Sequence, residues 1–122
     1  MAEPKTRLRL RLHFGEGAML GPGKADLLEK ITETGSISAA GRGMGMSYKR
    51  AWMLVETLNS IFAEPLVVSS RGGAQGGGAE VTEMGRQVLA QYRALEARVR
   101  AAGAAEISAL EAMLASDMSD GK

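Results

Sequence analysis

The sequence predicts a mostly α fold with a small β wing: a winged helix-turn-helix followed by a long C-terminal dimerisation helix. Three observations carry this. Ser36 and Ser47 each stand just before an apolar pattern of helical period, and only Gly45 and Met46 separate the two patterns. The glycine-rich "GGAQGGG", Gly72 to Gly78, lies between two short runs of strand type. From Thr82 onward Met84, Val88, Tyr92, Leu95 and Val99 recur at steps of 4, 4, 3 and 4, the period of one helix face.

Each element has its own warrant. In "RLRLRLHF", Arg7 to Phe14, charged and apolar residues alternate, which puts Leu8, Leu10 and Leu12 on one face of a strand. "GEG" at 15–17 reads as a turn and "AML" at 18–20 as a short return strand. Pro22 suits a helix start, and Leu27, Leu28 and Ile31 make the buried face of a first helix, Gly23–Thr34, ending near Gly35. Ser36 caps a second helix, Ile37–Met44, with Ile37, Ala40 and Met44 on one face. Ser47 caps a third, Tyr48–Phe62, whose buried stripe is Ala51, Leu54, Val55, Leu58 and Phe62. Pro65 ends that region, Leu66–Arg71 reads as a strand, and "AEVT" at 79–82 returns as its partner. The stripe of the last helix continues through Gly103, Ile107, Leu110 and Leu114, so that helix either runs on or breaks at Gly103. Residues 1–81 thus read as a winged helix-turn-helix domain with an N-terminal strand, 82–116 as a dimerisation helix region and 117–122 as a frayed tail.

A chain of 122 residues fits one domain with an appendage. It has no cysteine, which excludes disulfides, thiolate zinc sites and iron-sulfur clusters. Nothing resembles a signal peptide, and no apolar segment approaches the roughly 18 residues of a membrane span. The expectation is a cytoplasmic chain without a membrane partner. His13 is the only histidine and lies in the strand, while the acids are scattered without a metal or acid/base cluster. "GRGMG" has the wrong spacing and position for a dinucleotide loop, and "GGAQGGG" lacks the Lys-Ser/Thr of a P-loop. No enzyme, cofactor or metal is expected. Met44, Met46, Met53 and Met84 read as core packing, as does Trp52 in preference to stacking on a ligand.

The net charge of +1 hides an uneven distribution. Residues 35–55 carry Arg42, Lys49 and Arg50 with no acid, while 101–120 carry Glu106, Glu111, Asp117 and Asp120 with no base. Ser47, Tyr48, Lys49 and Arg50 open the third helix, the position that reads base edges in a helix-turn-helix protein. Ser36 and Ser38 suit phosphate contacts, and Arg71 and Gln75 place further polar groups on the wing. Gly41 and Gly43 lack a local reason: each should weaken the second helix by roughly 1 kcal/mol relative to alanine, and they reflect either close packing or looseness.

"TGSISAAGRGMGMSYKRAWMLVETLN" followed by "LVVSSRGGAQGGGAEVTEMGRQVLAQY" resembles the DNA-binding half of the ModE family of molybdate-responsive transcription regulators, itself similar to the N-terminal domain of LysR-type regulators. The resemblance covers roughly residues 8–95. It implies a recognition helix opened by Ser47, Tyr48, Lys49 and Arg50, a wing over Arg71–Gly78 and a dimerisation helix from Thr82. It also implies a transcription regulator linked to molybdenum metabolism or transport, here expected without its own molybdate-binding domain. A homodimer joined through Met84, Val88, Tyr92, Leu95 and Val99 would bind double-stranded DNA at two half-sites about 34 Å apart. The rival expectation is a truncated interaction module that pairs with full-length ModE-like regulators, with which the acidic tail is compatible.

Overall fold

The computed structural model describes residues 6–70 and 78–115. Its elements are β1 (Leu12–His13), β2 (Met19–Leu20), α1 (Pro22–Thr34), α2 (Ile37–Gly43), α3 (Tyr48–Ile61), β3 (Val67–Ser70), β4 (Gly78–Val81), α4 (Glu83–Ala102) and α5 (Ala104–Ala112). They divide into two compact units, one over residues 9–92 and one that joins the residues before 9 to those from 93 onward. The fold is mostly helical with two small antiparallel sheets, β1-β2 and the wing β3-β4.

In the 9–92 unit, Leu27, Leu28 and Ile31 of α1 meet Ile37 and Ala40 of α2 and Ala51, Val55 and Leu58 of α3 in one buried cluster. Leu66, Val67, Ala79 and Val81 close it from the wing side, and Tyr92 of α4 from another. Two left-handed glycines shape the path. Gly35, at φ 70°, ends α1 with its N–H on the Ile31 carbonyl, and its own carbonyl accepts from Ala79 N of β4 at 2.9 Å. Gly45, at φ 72°, turns the chain between α2 and α3.

Several boundaries differ from expectation for physical reasons. The strand expected over Arg7–Phe14 pairs only at Leu12↔Leu20 and His13↔Met19, because the return segment is that short. The alternation persists beyond the ladder, with Leu10 and Leu12 half-buried and Arg9 and Arg11 exposed. The Leu10 carbonyl accepts from the Tyr92 hydroxyl at 2.6 Å. Helix α2 stops at Gly43 and Met44 caps it, while α3 stops at Ile61 because Phe62 is extended at φ −104°, ψ 170°. The Phe62 ring then packs edge-on to Phe14 with centroids 6.0 Å apart. The last helix starts at Glu83, since Thr82 acts as its cap: its hydroxyl accepts from Gly85 N at 3.0 Å and donates to the Pro65 carbonyl at 2.7 Å. In the first turn Glu83 accepts from Arg86 at 2.7 Å and Gln87 at 3.2 Å, and these bonds hold its carboxyl below the usual range.

Gly41 and Gly43 separate cleanly. A Cβ on Gly41 would stand 2.9 Å from the Ala51 Cβ, so glycine here lets α2 and α3 approach. A Cβ on Gly43 would meet nothing within 4 Å. Gly43→Ala is therefore expected to raise stability by up to about 1 kcal/mol and Gly41→Ala to lower it by about 1 to 3 kcal/mol. Urea unfolding midpoints that move in the same direction for both would refute that close approach.

In the other unit, α4 ends at Ala102, and Gly103 (φ −97°, ψ 10°) separates it from α5, so the stripe breaks there. Its neighbours keep helical bonds across the break, Gly103 N to the Val99 carbonyl and Ile107 N to the Gly103 carbonyl. The Thr6 hydroxyl donates to the Glu111 carboxylate. Helix α5 buries no residue, and Leu110, Met113 and Leu114 are exposed. The frayed tail expected over 117–122 lies outside the described residues.

Candidate nucleic-acid interface

The helix-turn-helix is set by short-range bonds. The Ser36 hydroxyl accepts from Ala39 N at 3.0 Å and the Ser47 hydroxyl from Arg50 N at 3.1 Å, so each serine caps its helix. Between them, Met44 N and Met46 N both reach the Gly41 carbonyl and Gly45 N reaches the Arg42 carbonyl. These bonds satisfy two of the carbonyls that the end of α2 would leave open, and they hold the turn in one conformation.

The expected site residues fall as follows. Ser36 and Ser38 stand together, hydroxyl oxygens 3.3 Å apart, beside Thr34, whose hydroxyl accepts from Ser36 N. Arg42 is exposed in the last turn of α2, and Ser47, Tyr48, Lys49 and Arg50 are all exposed at the start of α3. Among the described residues, Arg42, Lys49 and Arg50 make no ion pair. Three cations with their charges uncompensated thus share the region of the turn, a surface suited to an anion. Tyr48 is 58% exposed and packs edge-on to Trp52, centroids 6.2 Å apart. Trp52 itself is half-buried against the core, so its packing reading holds. Arg71 and Gln75 lie outside the described residues.

The dimer stripe divides. Tyr92 is 2% exposed inside its own core, and Met84 and Val88 pack against that same core. Tyr92 is thus taken up by its own core, whereas Met84 and Val88, half-buried, keep part of their surface exposed. Leu95 and Val99, one and two turns further on, are half-buried.

Met53 also departs from expectation. It is 52% exposed, not in the core where Met44, Met46 and Met84 pack. Helical counting explains this, since the buried residues Ala51, Val55 and Leu58 place position 53 on the far side of α3. Lys49, Met53, Glu56 and Ser60, all exposed, form the outward stripe.

One residue that sequence reasoning passed over positions the wing. Asn59 on α3 accepts from Leu66 N at 2.8 Å and Val67 N at 3.1 Å through Oδ1, and its Nδ2 donates to the Val67 carbonyl at 3.0 Å. The signal available was an asparagine on the half-buried flank of the helix just before a predicted strand.

Among the described residues there is no group of three or more histidines and acids that could hold a metal ion, and no helix is long and apolar enough to cross a membrane.

No family model matches the chain. It is 43% identical over 102 residues to the molybdenum transport protein ModE of Azotobacter vinelandii, an alignment that takes in 84% of this chain and 38% of that protein. It is 47% identical over 83 residues to the molybdenum-pterin-binding protein MopB of Rhodobacter capsulatus, covering 68% of this chain and 31% of the relative. The DNA-binding transcriptional dual regulator ModE of Escherichia coli K12 is 32% identical over 88 residues, 72% of this chain and 34% of its own. The chain therefore spans about a third of the length of these relatives. Among solved structures, the full-length LysR-type regulator LysG of Corynebacterium glutamicum with bound effector Arg superposes with a TM-score of 0.53 at 24% identity, over 78% of this chain and 30% of that one. That likeness is one of fold. Sequence and fold together place the chain in the ModE family, as a LysR-like winged helix-turn-helix.

Proposed function

We propose that the chain is a sequence-specific, double-stranded DNA-binding transcription regulator that acts in the cytoplasm and is linked to molybdenum metabolism or transport. The observation that carries DNA binding is the unpaired set Arg42, Lys49 and Arg50 around a rigid turn, with Lys49 and Arg50 in the first turn of α3. In a helix-turn-helix protein that turn reaches the floor of the major groove. The hydroxyls of Ser36 and Ser38 supply register contacts to phosphate. The molybdenum link rests on the names of the relatives, two of which carry that element.

Fluorescence anisotropy with duplex DNA at two salt concentrations tests the reading. Lys49→Ala or Arg50→Ala should weaken binding by about 1 to 3 kcal/mol where the side chain reads a base. A residue that contacts only phosphate should instead lower the salt slope by about 1, with a loss that is uniform across sequences. Unchanged affinity and slope in both variants would remove α3 as the recognition helix. A chain that binds no DNA at either salt concentration would leave the interaction module that pairs with full-length ModE-like regulators as the better account.

We further propose a homodimer, with a seam that extends past the stretch the periodicity implies. Leu95 and Val99 on α4 are followed by Leu110 of α5 and by Met113 and Leu114 just past its end, three apolar side chains that are 63%, 76% and 58% exposed. Leu110→Glu should give monomers by sedimentation without lowering the unfolding midpoint, because that side chain supports nothing in its own core. Dimers that persist in the variant would exclude α5 from the seam.

A further inference from the structure

We infer that the base-reading surface extends past the first turn of α3 to Met53, and that Met53 packs against the C5 methyl group of a thymine in the bound site. The inference rests on the DNA-binding reading above and assigns part of its specificity.

Three observations converge on it. Met53 is 52% exposed on a helix whose aliphatic residues Leu54, Val55, Leu58 and Ile61, and whose Trp52, are all buried or half-buried. It stands one turn beyond Lys49 on the same outward stripe, so a groove that admits Lys49 also meets Met53. One turn further, Glu56 is exposed on that stripe as well. A carboxylate there repels phosphate, so the stripe faces base edges and the backbone contacts stay with Arg42, Ser36 and Ser38 at the sides.

Among the base edges of the major groove only thymine offers an apolar group, its methyl. An unbranched thioether is flexible and polarisable enough to follow a single methyl without tight shape demands. Four residues of helix advance about 6 Å along its axis, against about 3.4 Å for each base step. The thymine therefore falls within about two base pairs of the one that Lys49 contacts.

The test starts by selecting bound duplexes from a random library with the full chain. Each thymine of the enriched site is then replaced by uracil, which removes the methyl and nothing else. The chain should lose about fourfold in affinity at one position, the value of one methyl removed from water. Met53→Ala should lose a similar factor on the thymine duplex and show no further loss on the uracil duplex, while Met53→Leu keeps the thymine preference. Met53→Ala should also keep the parent unfolding midpoint, since the side chain lies outside the core. If no thymine is sensitive, or if the Met53→Ala and uracil losses simply multiply, the inference fails while the DNA-binding reading stands. If the library yields no enriched site, the sequence-specific reading fails and the inference with it.

Discussion

Gly85→Ala is expected to lower the unfolding free energy by about 3 kcal/mol, the upper range of overpacking, and the melting temperature by roughly 15 °C. A Cβ at this position would overlap the Leu66 carbonyl oxygen and stand 2.6 Å from Val81 Cγ1. Both neighbours are fixed: Leu66 is fully buried with its carbonyl accepting from Thr82 N at 2.9 Å, and Val81 pairs with Val67 in the wing. Neither can step aside as the tip of a flexible side chain would. The first turn of α4 must therefore lift, which separates the Thr82 hydroxyl from the Pro65 carbonyl and opens the base of the wing. Helix propensity pulls the other way, since alanine is favoured over glycine by about 1 kcal/mol, but it is the smaller effect here. Gly43→Ala supplies the control, with the same chemical change in open space and a gain expected. A Gly85→Ala melting temperature at or above the parent's would refute the docking of α4 on β3 and β4.

Asn59→Leu is expected to cost about 2 to 4 kcal/mol. The two side chains are close in size, so little cavity forms and the loss is in hydrogen bonds. Leu66 N and Val67 N lose their shared acceptor, and the Val67 carbonyl loses a donor, in a partly buried setting. A group left unsatisfied there is destabilising by about 1 to 3 kcal/mol. The effect has an address as well as a size: amide exchange of Leu66 and Val67 should accelerate more than that of the α1 core. Asn59→Asp keeps the acceptor and removes the donor, so its loss should be smaller. Exchange at Leu66 and Val67 unaltered in Asn59→Leu would mean the side chain does not hold the wing. Because β3 begins at Val67, weaker DNA binding is expected alongside the stability loss.

The helical part of the fold was legible in the sequence because its signals are local. A serine cap bonds to an amide three residues on, and a C-terminal glycine adopts its left-handed φ within one residue, so Ser36, Ser47, Gly35 and Gly45 were all readable in place. Positions that depend on a neighbour distant in sequence were not. The requirement for glycine at 41 comes from Ala51, and that at 85 from Leu66 and Val81. The alternation over Arg7–Phe14 reports which side chains face inward, not how long the partner strand is, and so overstated the ladder. The stripe of α4 shows the same limit: period alone marks an apolar face but not what packs on it, and Tyr92 is buried in its own core while Met84 and Val88 are half-buried against it. Met53 is a different error: its residue type suggested the core, although the spacing from Ala51 and Val55 already pointed outward.

The hydrogen bond from the Tyr92 hydroxyl to Leu10 joins residues 82 apart in the chain. Most other contacts of the 9–92 unit close far shorter loops, such as Asn59 to Leu66 or Gly35 to Ile31. Chain closure grows more costly in entropy with separation, and topology of this kind orders events in time. The three helices and their turn are expected to assemble first, with the N-terminal strand and the Tyr92 ring docking after the rate-limiting barrier. Changes at Tyr92 would then speed unfolding and leave the folding rate nearly untouched. The N-terminal strand thus serves as a late latch, which governs how long the folded domain persists more than how fast it forms.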